Sequence, residues 1–103
     1  MGKQSRLSLN RILKEVLGSD NVYFQPPESI RLNYPCIVYS ISSGDTKYAS
    51  NIPYKFDICY QITFMSRDPD DAIREKIAML PMCRYDRALK TEDLNYDIFK
   101  IYI

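Results

Sequence analysis

Histidine is absent from this chain, and no other absence bounds its chemistry so tightly. A serine or cysteine nucleophile needs a base beside it, and the usual imidazole is not there to serve. The hydroxyls of Ser40, Ser42, Ser43 and Thr46 stand in no lysine-activated pattern either. Glycine is scarce, with three residues, and Gly44 stands alone, so no glycine-rich loop is formed to cradle a phosphate. The three cysteines, Cys36, Cys59 and Cys83, are odd in number, widely spaced and without a Cys-x-x-Cys pair. Scattered thiols without histidine make a poor zinc set, and two of them lie in apolar strand text. All three read as reduced residues in or near the core of a cytoplasmic protein. The residue pattern therefore argues against an enzyme and against a bound cofactor or metal.

Two further shortages narrow the partners. No apolar run approaches the roughly 20 residues that a membrane helix needs. The opening Met1-Gly2-Lys3-Gln4-Ser5-Arg6 lacks a signal-peptide core and has Arg6 where myristoylation wants Ser or Thr. Excess charge is also missing: 14 basic residues against 13 acidic give a net charge of +1. Nucleic-acid domains usually carry a marked basic excess, so sequence-specific nucleic-acid binding is not expected. What the chain does have is 46% apolar residues and nine tyrosines in 103 residues, enough for one small globular domain over 1–103. Tyrosine suits half-buried strand faces first, and protein interfaces second.

Periodicity predicts a helix over 7–17, with Leu13, Val16 and Leu17 plus Ile12 as its apolar stripe and Gly18 as its left-handed stop. A short strand over 21–24 ends at Pro26-Pro27, and Ile30 and Leu32 are expected to pin the irregular stretch after it. A strand over 36–42 turns Ile37, Tyr39 and Ile41 to one face and breaks at Ser43-Gly44-Asp45, leaving a projecting loop over 44–54. The clearest alternation follows: Phe56, Ile58, Tyr60, Ile62 and Phe64 point one way, Asp57, Cys59, Gln61, Thr63 and Met65 the other. Asp68 then reads as the N-cap of a second helix, with Pro69 at N1 and Asp71 placed for a capping box. Ile73, Ile77 and Leu80 form its apolar stripe, and Pro81 stops it. Strands over 82–89 and 96–103 close the chain around a polar turn. The expected fold is α+β: one domain, a mostly antiparallel sheet of four to five strands and two helices, in the order α-β-β-β-α-β-β.

Two constellations carry chemistry that the fold does not by itself explain. Asp68, Asp70 and Asp71 resemble a divalent-metal cluster of the kind nucleases use, but a helix start accounts for all three acids and the proline together. Arg84, Tyr85, Arg87 and Lys90 suggest a small nucleic-acid-binding or regulatory module that holds single strands on a basic, aromatic face. Asp86, Glu92 and Asp93 dilute that charge and favour a solvated or ion-paired strand.

The ordered segments Val22-Tyr23-Phe24-Gln25-Pro26-Pro27, Tyr34-Pro35-Cys36-Ile37-Val38-Tyr39, Asn51 with Pro53-Tyr54, Ile62-Thr63, Arg67-Asp68-Pro69-Asp70, Leu80-Pro81 with Cys83, Asp86-Arg87, Asp93-Leu94-Asn95 and Ile98-Phe99 carry a likeness that covers almost the whole chain, about 6–103. In that order they resemble a family of small tail-completion, or minor tail, proteins of long-tailed bacteriophages and prophages, similar to tail terminators. The chain departs from the family pattern at Tyr96, where histidine is common, and at Asp71, where serine is. The resemblance implies a non-enzymatic virion structural protein that caps the tail tube and contributes to the head–tail connection. It implies a homo-oligomeric ring, commonly a hexamer, with the tail tube protein and a head-completion or connector protein as partners. Its location would be the host cytoplasm during assembly and then the head-proximal end of the tail. The expected assembly surfaces are the loop with Asp45, Lys47, Tyr48, Asn51 and Tyr54, and the strand with Arg84, Asp86 and Arg87.

Overall fold

A computed structural model describes residues 6–91 and 93–102, with the side chains at 45, 47–49 and 53–57 left outside that description. Helix α1 covers Arg6–Leu17 and strand β1 Val22–Phe24; β2 covers Cys36–Ala49 and β3 Ile52–Ser66. Helix α2 covers Ile73–Ala78, β4 Cys83–Lys90 and β5 Asn95–Tyr102. The five strands form one sheet in the order β1-β2-β3-β5-β4, antiparallel except for β1 beside β2. This is the expected α+β architecture in the expected element order.

One face of the sheet makes the core. Ile37 and Tyr39 of β2, Tyr60, Ile62 and Phe64 of β3, and Phe99 and Ile101 of β5 are buried there under Leu9, Leu13 and Leu17 of α1 and Ile77 of α2. The leucines recur every four residues, which keeps them on one side of a helix. The buried stripe thus includes Leu9, which the sequence pattern did not single out, while Val16 packs at its margin and Ile12 is only half-buried. Phe24, Tyr39 and Tyr60 form an aromatic cluster, with the Phe24 and Tyr39 centroids 5.0 Å apart. Tyr39 is fully buried and satisfies its hydroxyl by donating to Asn10 Oδ1 at 2.9 Å. Gly18 ends α1 at φ +80°, a conformation a side chain resists, and its N–H donates to the Lys14 carbonyl.

Four local expectations need correction. The stretch over 44–54 is not a loop: β2 and β3 stay paired to Ala49↔Ile52, with only Ser50 and Asn51 left to turn. The apparent break at Ser43-Gly44 is a register shift between Ile41 and Ser43, a bulge that bends the ribbon without ending it. Ile41 is exposed, lying past Tyr39, where the pairing of β1 with β2 ends. Ile30 is exposed too, leaving Leu32 half-buried to hold that segment.

The second helix also begins later than its acids suggest. Residues 68–71 form a tight turn in which Asp68 Oδ1 accepts the Asp70 N–H at 2.9 Å. Asp71 Oδ1 accepts the Ile73 N–H at 3.0 Å, so Asp71 rather than Asp68 tends the helix entry. Asp side chains compete with helical hydrogen bonding in this way, and here the turn outcompetes the first helical turn. The second face of the sheet is less polar than alternation predicts: Cys36, Cys59, Met65 and Ile98 are buried there, Cys36 directly opposite Met65. The thiols of Cys36, Cys59 and Cys83 are all free.

Candidate assembly interface

The candidate residues fall into two groups on one end and one edge of the sheet. The first is an arm. β1 pairs with β2 only as far as Tyr39, and β5 reaches along β3 only to Cys59. Beyond those points residues 43–49 and 52–58 have, among the described residues, no strand neighbour but each other. At about 3.4 Å per residue they extend roughly 20–24 Å past the sheet body. The molecule is accordingly elongated, 51 × 25 × 23 Å. Asp45, Lys47 and Tyr48 sit on the β2 side of this arm and Tyr54 on the β3 side by backbone position; their side chains lie outside the described residues. Asn51 is at the tip, exposed, with φ +66°, beside Ser50 at φ +54° and an Ile52 that is 66% exposed.

The second group lies on β4, an edge strand exposed at every position after Cys83. Its charges have a bland explanation, since edge strands are commonly blunted by charged residues and bulges against unwanted pairing. The bulge is at Asp86, between the Tyr85↔Phe99 and Arg87↔Ile98 pairs. Arg87 Nη1 contacts Asp86 Oδ2 at 2.6 Å, so those two charges largely cancel locally. Arg84 has no such partner: it stands directly across from Lys100 of β5 on the face away from the helices. Like charges facing each other across a strand pair are destabilising. Lys100 turns its amine aside to Ser42 Oγ at 2.9 Å, and among the described residues no carboxylate answers either cation.

Tyr85 is committed to the opposite face. Its ring meets Phe99 edge-on at 5.2 Å and its hydroxyl donates to Asp97 Oδ1 at 2.9 Å. It is therefore not presented beside Arg84 and Arg87 as a stacking platform for bases. Asp97, 3% exposed, also pairs with Arg74 of α2, whose Nε lies 2.8 Å from Oδ2 though its N–H is not aligned on that oxygen. This network ties α2, β4 and β5 together beneath the edge. Burial, followed by the hydrogen bond to Asp97, raises the Tyr85 pKa above its usual 10.0.

Asp68 and Asp71 spend their carboxylates on the turn, with Ser66 Oγ donating to Asp71 Oδ2 at 3.2 Å. Asp70 is exposed, and its carboxylate accepts no hydrogen bond among the described residues. The three acids thus diverge in role, and no group of three or more potential metal-ligating side chains converges among the described residues.

A groove of about 260 Å³, lined by Met82, Arg84, Lys100 and Tyr102, opens at the end of β4–β5 nearest the arm. Met82 is 73% exposed at φ +62°. Sequence reading reached Arg84 but not Met82, Lys100 or Tyr102, because only the strand register brings them together. Compared with known proteins, the chain matches no family model, and no curated protein sequence matches it.

Proposed function

We propose that this protein is a tail-completion subunit of a long-tailed bacteriophage or prophage, a ring-forming virion component that caps the tail tube and contributes to the head–tail connection. Besides the segmental resemblance, the observation that carries the reading is the arm: a ribbon over 43–58 whose outer edges are unpaired among the described residues, with an exposed Ile52 beside its turn. A two-stranded ribbon is at best marginally stable alone in water, so an arm of this length makes physical sense when a neighbour covers it. Arms that reach from one copy onto the next are heterologous contacts, and these close into rings when the rotation permits. A small structural subunit of this kind would use no cofactor and perform no catalysis. Its partners would be further copies of itself, the tail tube protein and a head-side connector, first in the host cytoplasm and then at the head-proximal end of the tail.

Electron microscopy of lysates from a phage or prophage lacking this gene is the direct test. Filled heads beside unjoined tails, especially tails of irregular length, are expected. Normal infectious particles would overturn the proposal.

A further inference from the structure

The arm does not exhaust the surface that asks for a partner. At the same end of the sheet, Arg84 and Lys100 face each other without a carboxylate among the described residues, flanking a groove with Met82 and Tyr102. Two cations held opposite each other cost stability unless an anion lies between them. An exposed methionine and tyrosine beside them add flexible and flat apolar contact area, the mixture found at the core of protein interfaces. The groove therefore suits a small acidic loop better than a bare ion.

Such a loop exists at the other end of the same strands. β3 ends at Ser66 opposite Asn95, and the exposed Asp68-Pro69-Asp70 turn follows at once. β5 runs from Asn95 there to Tyr102 in the groove, about 23 Å at roughly 3.3 Å per residue. The turn is built to keep its shape: Ser66 Oγ accepts the Asp68 N–H at 3.1 Å, Asp68 holds the Asp70 N–H, and Arg74 Nη2 donates to the Pro69 carbonyl at 2.7 Å. A rigid loop loses little entropy on docking, and this one keeps Asp70 exposed, with only the charge of Arg74 acting on it from the same copy among the described residues.

We infer that neighbouring copies meet head to tail, the Asp70 turn of one copy entering the Met82–Arg84–Lys100–Tyr102 groove of the next. This rests on the ring reading and specifies its contact. Because the two surfaces sit at opposite ends of one sheet, they cannot satisfy each other within a copy, and the contact propagates until it closes. The arm projects from the groove end, so it would lie along the body of the same neighbour that supplies the turn.

The test is charge reversal with a mixing arm, read as mass by light scattering on a sizing column at low and moderate salt. The wild-type chain should form a closed ring that weakens as salt screens the contact. Arg84→Glu alone and Asp70→Lys alone should each lose on the order of hundredfold in association and run as monomers. Mixed in equal amounts, they should reassemble, because every contact in an alternating ring is then complementary. Unchanged unfolding midpoints show that both variants are folded; should Arg84→Glu lower its midpoint, Lys100→Glu takes its place. Folded variants that assemble like wild type, or a mixture that stays monomeric, would overturn the contact while leaving the ring reading standing. A wild-type chain that stays monomeric at every concentration would overturn the ring reading and the contact with it.

Discussion

Strands β2 and β3 run through two very different surroundings. Along residues 37–39 and 59–65 each has a strand on both sides, α1 and α2 lie over one face, and Ile37, Tyr39, Ile62 and Phe64 are fully buried. Along residues 43–49 and 52–58 the same strands have, among the described residues, only each other. The chain does not change chemistry abruptly between the halves; Thr46, Tyr48, Ile52, Tyr54 and Phe56 are as β-forming as what precedes and follows them. What changes is company. The body holds itself together by burial, while the described part of the arm is held by backbone pairing, with Ile58 at its base packed against the core.

The largest effect that would break this contrast is in the body. Phe64→Ala removes a fully buried ring between the helices and Ile37, and should cost about 4 kcal/mol in urea unfolding. Total stabilities are typically about 5–15 kcal/mol, so the variant should sit near its unfolding threshold. Excising residues 45–57 and closing the hairpin with Asn-Gly should cost less than about 1 kcal/mol, since among the described residues that stretch supplies no member of the core cluster. A comparable loss from both changes would mean that the arm and body fold as one unit.

A middle-sized effect is expected where the edge strand is tied down. Asp97→Ala strips Tyr85 and Arg74 of their shared acceptor beneath β4. A fully buried pair broken this way costs about 3–5 kcal/mol, but Arg74 is about a third exposed and water can answer it, so about 2 kcal/mol is expected. Tyr85→Phe, which removes one hydrogen bond, should cost about 1 kcal/mol. If Asp97→Ala were silent, β4 would be held by its ladder alone.

Alkaline pH should act on the body and the start of the edge together. Burial pushes the thiols of Cys36 and Cys83 up from 9.0 to about 11. Groups whose folded pKa is raised contribute stability that is fully present below pH 9 and is lost as pH rises from there through 11. Stability should therefore be level from pH 7 to about 9 and then fall, and Cys36→Ala with Cys83→Ala should flatten that decline. A decline of unchanged steepness in the double variant would assign it to other groups.

How much of this was legible in advance depends on whether neighbours or distant residues decide each feature. The Gly18 stop and the alternation through Tyr60, Ile62 and Phe64 follow from local spacing and stand where expected, while the α1 stripe does so at Leu13 and Leu17 but runs back to Leu9 in place of Ile12. The arm did not, because Ser43-Gly44-Asp45 carries the same local signal whether it ends a strand or bulges one. The turn at 68–71 was misassigned for a related reason: Asp68 and Asp71 are both good caps, and only the Ser66 hydroxyl, reaching back from the preceding strand, distinguishes their roles. The groove was invisible altogether. Arg84 and Lys100 lie sixteen positions apart in sequence, and their confrontation exists only through the β4–β5 register.

The smallest expected effect is the most discriminating about the arm. Ser50 and Asn51 make a two-residue turn with both φ values positive, +54° and +66°, a type I′ geometry that favours asparagine first and glycine second. Ser50→Asn with Asn51→Gly should therefore relieve about 0.5–1 kcal/mol of backbone strain. If the arm opens by itself, that gain belongs to the local equilibrium and not to global unfolding. Amide exchange across residues 43–58 should then slow about two- to fivefold, while the urea midpoint of the body stays where it was. A shifted midpoint with unchanged arm exchange would mean that the ribbon opens only when the whole sheet does. In that case its exposed edges would be held by the body's own cooperativity, and the argument that a neighbouring copy must cover the arm would lose its physical basis.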